Sequence, residues 1–311
     1  MRTIFYHLLI IVCIGSCKVN PDSNKNYDDK SKVYKLHLNP STASRYYYDI
    51  SNQTEISVEL NNNKSKSLNK TTAGFFYDIS KDSSGNFLVK VQYDKLHLYS
   101  KKDDIESDVD ADNAAATLNP LEKMLGTLRG AKISATINSK GDVTNIRGYK
   151  EIGDKIFSEL NFTDDNTRNM AKDQWEKMIG DGIVKNNMDE MFKVFPDSAV
   201  HIGDSWKINN VQNGLNLKNI YKLKTISDDI AIIESEGVIN SDSLSTGLAG
   251  LNFLPGELKG DQQGQYEMES KSGMLISVKI KATVSGEISV GGSQVPITIA
   301  ILVKINGRKV M

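Results

Sequence analysis

Few side chains in this 311-residue sequence combine a reactive type with a spacing that does chemistry. His37, His97 and His201 stand apart, and no HxH or HExxH pattern sets two imidazoles on one side of an element. Neither a metal site nor a histidine base is expected from them. Gly203-Asp204-Ser205-Trp206 puts a serine in a turn, but the GxSxG elbow is absent. It reads as a turn followed by Trp206 opening a strand and packing its indole into a core. The acidic run from Asp103 to Asp112 lacks the glycine and the spaced glutamate of a calcium loop, and reads as a solvated surface loop. Gly247 to Gly256 is glycine-rich without the Gly-Lys-Ser/Thr of a phosphate loop. No catalytic residue, metal or cofactor is expected, and the chain reads as a non-enzyme.

The residue with a definite reaction ahead of it is Cys17. Arg2 precedes an apolar run from Ile4 to Ile14, and Ile14-Gly15-Ser16 leads into the cysteine. A positive start, a short hydrophobic stretch and small residues at a cut site make a secretory signal, and the run falls far short of the ~20 residues that span a bilayer. Gly15-Ser16-Cys17 resembles the bacterial lipobox. That resemblance implies cleavage after Ser16 and a mature chain beginning at Cys17 with acyl chains on its thiol. Residues 1–16 are then the signal peptide. Residues 17–32 are the lipidated cysteine and a polar tether too poor in apolar groups to join a core. Lys18 follows the cysteine and no acidic run does; by resemblance to sorting signals this favours the outer membrane, facing the periplasm.

Composition narrows the rest. Of the 2 cysteines, Cys13 lies in the signal and Cys17 carries the lipid, so disulfides and a cysteine nucleophile are excluded from the mature chain. Loss of Arg2 turns 38 basic against 39 acidic residues into 37 against 39, a balance that argues against nucleic acid. The expected membrane contact is the lipid anchor.

The elements that must position any site are mostly strands. Tyr34, Leu36 and Leu38 alternate with polar residues, as do Ile56, Val58 and Leu60, and Phe87, Val89, Val91 and Tyr93. The last series slips by one to Leu96 and Leu98, which predicts a bulge near Asp94-Lys95. Ile276 to Val284 and Ile297 to Ile305 read as a long hairpin about a Gly291-Gly292 turn. Between these β-rich halves, 33–117 and 200–311, the pattern over 118–195 turns helical. Asn119-Pro120 starts one helix and Gly148 to Leu160 holds another, with a hairpin at 131–147 and further helix before Pro196. The expected fold is α+β: a curved, mainly antiparallel sheet, as a half-barrel or two β-rich halves, with a central helical layer, in one domain over 33–311.

Methionine concentrates in the helical region. Met178, Met188 and Met191, with Phe253 from the glycine-rich loop, are the candidate lining of an apolar ligand pocket, core filling being the alternative. Asp197-Ser198-Ala199 and Asp242-Ser243-Leu244 resemble the Asp-Ser/Thr-aliphatic O-glycosylation sequon of Bacteroidetes, which marks Ser198 and Ser243. The lipobox, Phe195-Pro196 followed by Val200 and Gly203-Asp204-Ser205-Trp206, the Gly141-Asp142-Val143 hairpin closing at Gly148, and Tyr221-Lys222-Leu223 together resemble the domain-of-unknown-function 6263 family of bacterial lipoproteins. That resemblance implies no activity and transfers no residue beyond the lipidated cysteine. The expected function is an envelope lipoprotein that binds a hydrophobic ligand or a partner protein. The alternative is a structural or accessory subunit of an envelope complex, and an enzyme ranks third.

Overall fold

Period-two alternation carries most of the chain into extended structure. The computed structural model describes residues 31–60, 63–113, 120–159, 164–166, 168–169, 172, 185, 188–189, 191–212, 215–241, 258–290 and 293–310. Its N-terminal strands are β1 (Ser44–Leu60), β2 (Asn63–Lys81), β3 (Phe87–Lys102), β4 (Ile105–Asp110), β5 (Lys132–Ile137) and β6 (Val143–Arg147). The C-terminal ones are β7 (Ser205–Gln212), β8 (Leu215–Ser227), β9 (Ile230–Ser241), β10 (Leu258–Glu269), β11 (Leu275–Val290) and β12 (Ser293–Val310). All join one antiparallel sheet of 12 strands in the order β6-β5-β3-β2-β1-β12-β11-β10-β9-β8-β7, with β4 beside β3. The two β-rich halves are therefore one sheet, joined where β1 pairs with β12 from Arg45↔Val310 to Val58↔Ile297. The sheet is open, with β6 and β7 at its edges.

The phase slip in β3 is a bulge. Phe75 pairs with Tyr93 and Gly74 with Lys95, so Asp94 has no partner across the ladder and both halves of β3 keep their apolar side on one face. The freed carboxylate accepts a hydrogen bond from the Tyr47 hydroxyl at 2.8 Å on the opposite face. A Cβ at residue 74 would overlap that hydroxyl, so glycine is what lets Tyr47 reach across. Arg308 lies 4.5 Å over the Tyr47 ring and pairs with Asp49 at 3.3 Å. A second bulge skips Ile276, so Leu275 takes the buried position that simple alternation from Val278 assigns to Ile276.

One face of the sheet is buried. Side chains from β1, β2, β3, β5 and β8 to β12 meet in one core with Met188, Met191, Phe192 and Phe195. A second core on the same face joins Ala73, Leu96 and Leu98 to the helices α1 (Pro120–Leu128) and α2 (Tyr149–Glu159). Pro120 at the first turn has no amide hydrogen to leave unpaired, and Glu122 meets the positive end of α1. The helical layer is smaller than the sequence pattern implies. Among the described residues its continuous helices are α1 and α2, with scattered helical residues from Asp165 to Phe192.

Residues 33–39 correct a second expectation. Leu36 and Leu38 are buried in alternation as in a strand, yet the segment joins no ladder beyond a single Tyr34↔Val200 bridge. Its amides bond to loops instead: Leu38 donates to the Ser139 carbonyl at 3.0 Å and Asn39 to that of Ser272 at 2.7 Å. Ser139 lies in the β5–β6 turn and Ser272 in the β10–β11 turn, so the segment is a strap across one end of the sheet. Residues 193–200 run with it, and the Trp206 indole donates to the Val194 carbonyl at 3.1 Å.

Candidate functional site

Strand register sorts the buried face into cross-strand rows. Toward the strapped end, Leu223, Ile233, Tyr266, Val278, Ile305 and Ile50 are successive partners and make an apolar row. Toward the other end, Leu217, Ile239, Gly260, Val284, Ile299 and Ile56 make another. Between them lie two rows of different character. In one, Asn219 pairs with Gly237, Gly237 with Gln262, Gln262 with Ala282, Ala282 with Ile301 and Ile301 with Thr54. In the next, Tyr221 pairs with Ser235, Ser235 with Gly264, Gly264 with Ile280, Ile280 with Val303 and Val303 with Asn52. Asn52, Thr54, Asn219, Ser235 and Gln262 are all buried. In these two rows, the belt, the polar side chains lie on β8 to β10 and on β1, with Ala282, Ile301, Ile280 and Val303 of β11 and β12 between them.

The belt is built, but not closed on itself. The Gln262 Nε2 donates to Asn219 Oδ1 across β9, over Gly237. A Cβ at 237 would overlap that Asn219 oxygen, so glycine permits the bond. Gln262 Oε1 and Ser235 Oγ, like Ser44 Oγ elsewhere, have no hydrogen-bond partner among the described residues, although residues 262 and 235 are 3% and 2% exposed. A buried polar group left in that state costs about 1–3 kcal/mol. Among the described residues, the buried polar positions include one charged group, Glu122 on α1, and no lysine or arginine. The polar side chains of the belt are all uncharged.

Both belt rows reach the sheet edge at β7, where Ile208 pairs with Asn219 and Trp206 with Tyr221. Trp206 and Ile208 also line a cleft of about 610 Å³ along that edge. From Trp206 an aromatic run leads inward: it stacks on Tyr221 at 5.9 Å, and Tyr221 meets Tyr266 at 5.6 Å. The cleft's rim is ionic. Lys140 pairs with Asp197 at 2.8 Å and Lys193 with Asp142 at 3.0 Å, so the β5–β6 turn is tied to residues 193–200. The hydrogen bond from Asn138 and then the Lys193 ammonium hold the Asp142 carboxyl below its ordinary pKa. Gly141 in that turn has φ +90°, and a Cβ there would overlap the Phe192 carbonyl.

The residues singled out from sequence fall unevenly on this geometry. Met188 and Met191 are buried in the main core beside Phe192, whose ring meets Tyr77 at 6.2 Å. Ser198 is exposed and lines the cleft next to Asp197. Ser16, Cys17, Met178, Ser243 and Phe253 lie outside the described residues. His201 and Asp204 form a local pair at 3.2 Å in the turn before β7, without a nearby Ser205 contact to either among the described hydrogen bonds. The belt residues themselves were not singled out. Their signal is a polar or glycine residue on the inward phase of successive strands: Leu217, Asn219, Tyr221; Ile233, Ser235, Gly237, Ile239; Gln262, Gly264, Tyr266.

A model of the family described as "Family of unknown function (DUF6263)" matches residues 84–275. No curated protein matches the sequence. Among solved structures, one of lipid–protein interactions in lipovitellin is similar at 7% identity and a TM-score of 0.49, over 86% of this chain and 25% of that one. The translocator domain of autotransporter NalP from Neisseria meningitidis is similar at 7% identity and a TM-score of 0.22, over 86% of this chain and 90% of that one. The chain thus spans a quarter of the length of lipovitellin.

Proposed function

We propose that this chain, which belongs to the DUF6263 family of unknown function, is a non-enzymatic binding protein of the cell envelope that holds a hydrophobic ligand against the buried face of its sheet. In this reading the open sheet is a half-barrel, lipidated Cys17 anchors it to the outer membrane facing the periplasm, and residues 18–32 are the tether. The observation that carries the binding role is the polar belt, with the unpartnered Gln262 Oε1 and Ser235 Oγ set between apolar rows. The cleft beside Trp206 and Ile208, about 610 Å³, lies within the ~300–1,000 Å³ of ligand sites.

Native mass spectrometry of the chain from Lys18 onward, purified from an envelope extract and followed by lipid extraction, tests this. A reproducible co-purifying apolar molecule supports it. An empty, monodisperse protein sinks it and turns the search to protein partners of an accessory subunit.

A further inference from the structure

We infer that β7 is a docking edge, to which an extended segment of another protein, with apolar and acidic side chains in alternation, adds as a further strand. The inference rests on the edge alone and holds whichever molecule occupies the buried face.

The two edges of the open sheet are unlike. β6 is 5 residues long, its pairing with β5 shifts register between Ser134 and Thr136, and Asn145 within it has φ +50°. A short, irregular strand of this kind keeps other chains off an edge. β7 is 8 residues long, contains no proline, and pairs in unbroken register from Ser205↔Lys222 to Gln212↔Leu215. Every second residue of such a strand turns its N–H and C=O away from its neighbour. Among the described residues, no other main chain reaches those groups. They are a template for one more strand.

Side chains decide which strand fits. On one face Trp206 and Ile208 are part-exposed and wall the cleft, so a strand beside them needs apolar residues there. The other face is basic. The β7–β8 hairpin, residues 205–227, holds 4 lysines and no acidic residue, in a chain with 38 basic and 39 acidic ones. Lys224 pairs at 2.9 Å with Glu234, the carboxylate that faces Lys222 across the ladder. Lys207 and Lys218 are exposed and have no ion pair among the described residues, and Lys207 lies opposite Ile220. Successive residues of a strand point to opposite faces, so apolar and acidic side chains in alternation match both faces of this edge. Lysine on an edge strand also keeps like edges apart. A second β7 would bring more lysine to the basic face and no acid, so the occupant is not another copy of this chain.

The test uses the chain from Lys18 onward and three capped peptides of about ten residues: valine alternating with glutamate, valine alternating with lysine, and serine alternating with glutamate. Titration gives the affinities and amide hydrogen exchange gives the site. The valine–glutamate peptide is expected to bind at least about tenfold tighter than either of the others. It is expected to slow exchange in Ser205–Gln212 and to leave Val143–Arg147 unchanged. Lys207 is exposed, so Lys207→Glu tests the charge without touching the core, and is expected to reduce the preference for the valine–glutamate over the valine–lysine peptide at least about fivefold. Equal affinity for the valine–lysine peptide, or a preference unchanged in Lys207→Glu, overturns the inference. Equal affinity for the serine–glutamate peptide reduces the contact to charge alone and overturns it as well. Binding that leaves β7 exchange unchanged, or no binding of any peptide, does the same. A dimer in which β7 is protected without peptide would name a second copy as the occupant and also overturn it.

Discussion

Single residues on the buried face set function against stability. Ser235 has a buried hydroxyl with no partner among the described residues, so Ser235→Ala is expected to raise the stability of the protein by about 1 kcal/mol. A urea titration reads this directly, and a lowered midpoint would mean that Ser235 stabilises the empty fold. Tyr47 is the contrasting case. Burial, then the Asp94 carboxylate, raises its pKa well above that of a free tyrosine, so it remains a donor across the physiological range. Tyr47→Phe should cost about 1 kcal/mol by the same titration, since Asp94 loses its partner at the bulge. The belt was hard to read in advance because Asn219, Ser235 and Gln262 sit singly on separate strands. A lone polar residue in a strand ordinarily marks the wet face, and only the register shows that these share the dry one.

At the level of elements, the strands were legible because alternation is a direct image of a sheet with one buried face. The bulge at Asp94 was legible for the same reason, since a slip in phase has one economical structural cause. The strap shows where that logic stops. Leu36 and Leu38 alternate in burial, but where a backbone amide finds its acceptor is not written in side-chain pattern. The hold of residues 192–197 on the β5–β6 turn is testable. Gly141→Ala combines a left-handed φ with overlap on the Phe192 carbonyl, and should cost about 2 kcal/mol or more. The Asp142–Lys193 pair adds a pH dependence. Asp142 has a lowered folded pKa, so its contribution is present above the unfolded value of about 4 and is lost as pH falls through the folded one. Trp206 reports on this region through its bond to Val194. In a Trp175→Phe background its emission should shift as the pH is lowered below about 4, and in Asp142→Asn that shift should be absent.

The whole molecule is one sheet whose long hairpins were evident from sequence and whose joining was not. Nothing local in Ser44–Leu60 announces that its second neighbour is Ser293–Val310. The anchor proposed at Cys17 is tested at this scale: Cys17→Ser should move the protein from the membrane fraction to the soluble one, and retention on the membrane would overturn it.

The same join governs the order of assembly. Asp49 and Arg308 are neighbours although 259 residues separate them. Until β12 is available, β1 has only β2 beside it, and the middle of the finished sheet is an exposed edge. Such distant pairing makes for slow folding, and a bare edge invites pairing with other chains. A chain built this way cannot complete its fold while its C-terminal strand is still being synthesised. Loss of β12 is accordingly the truncation that would divide the sheet in two.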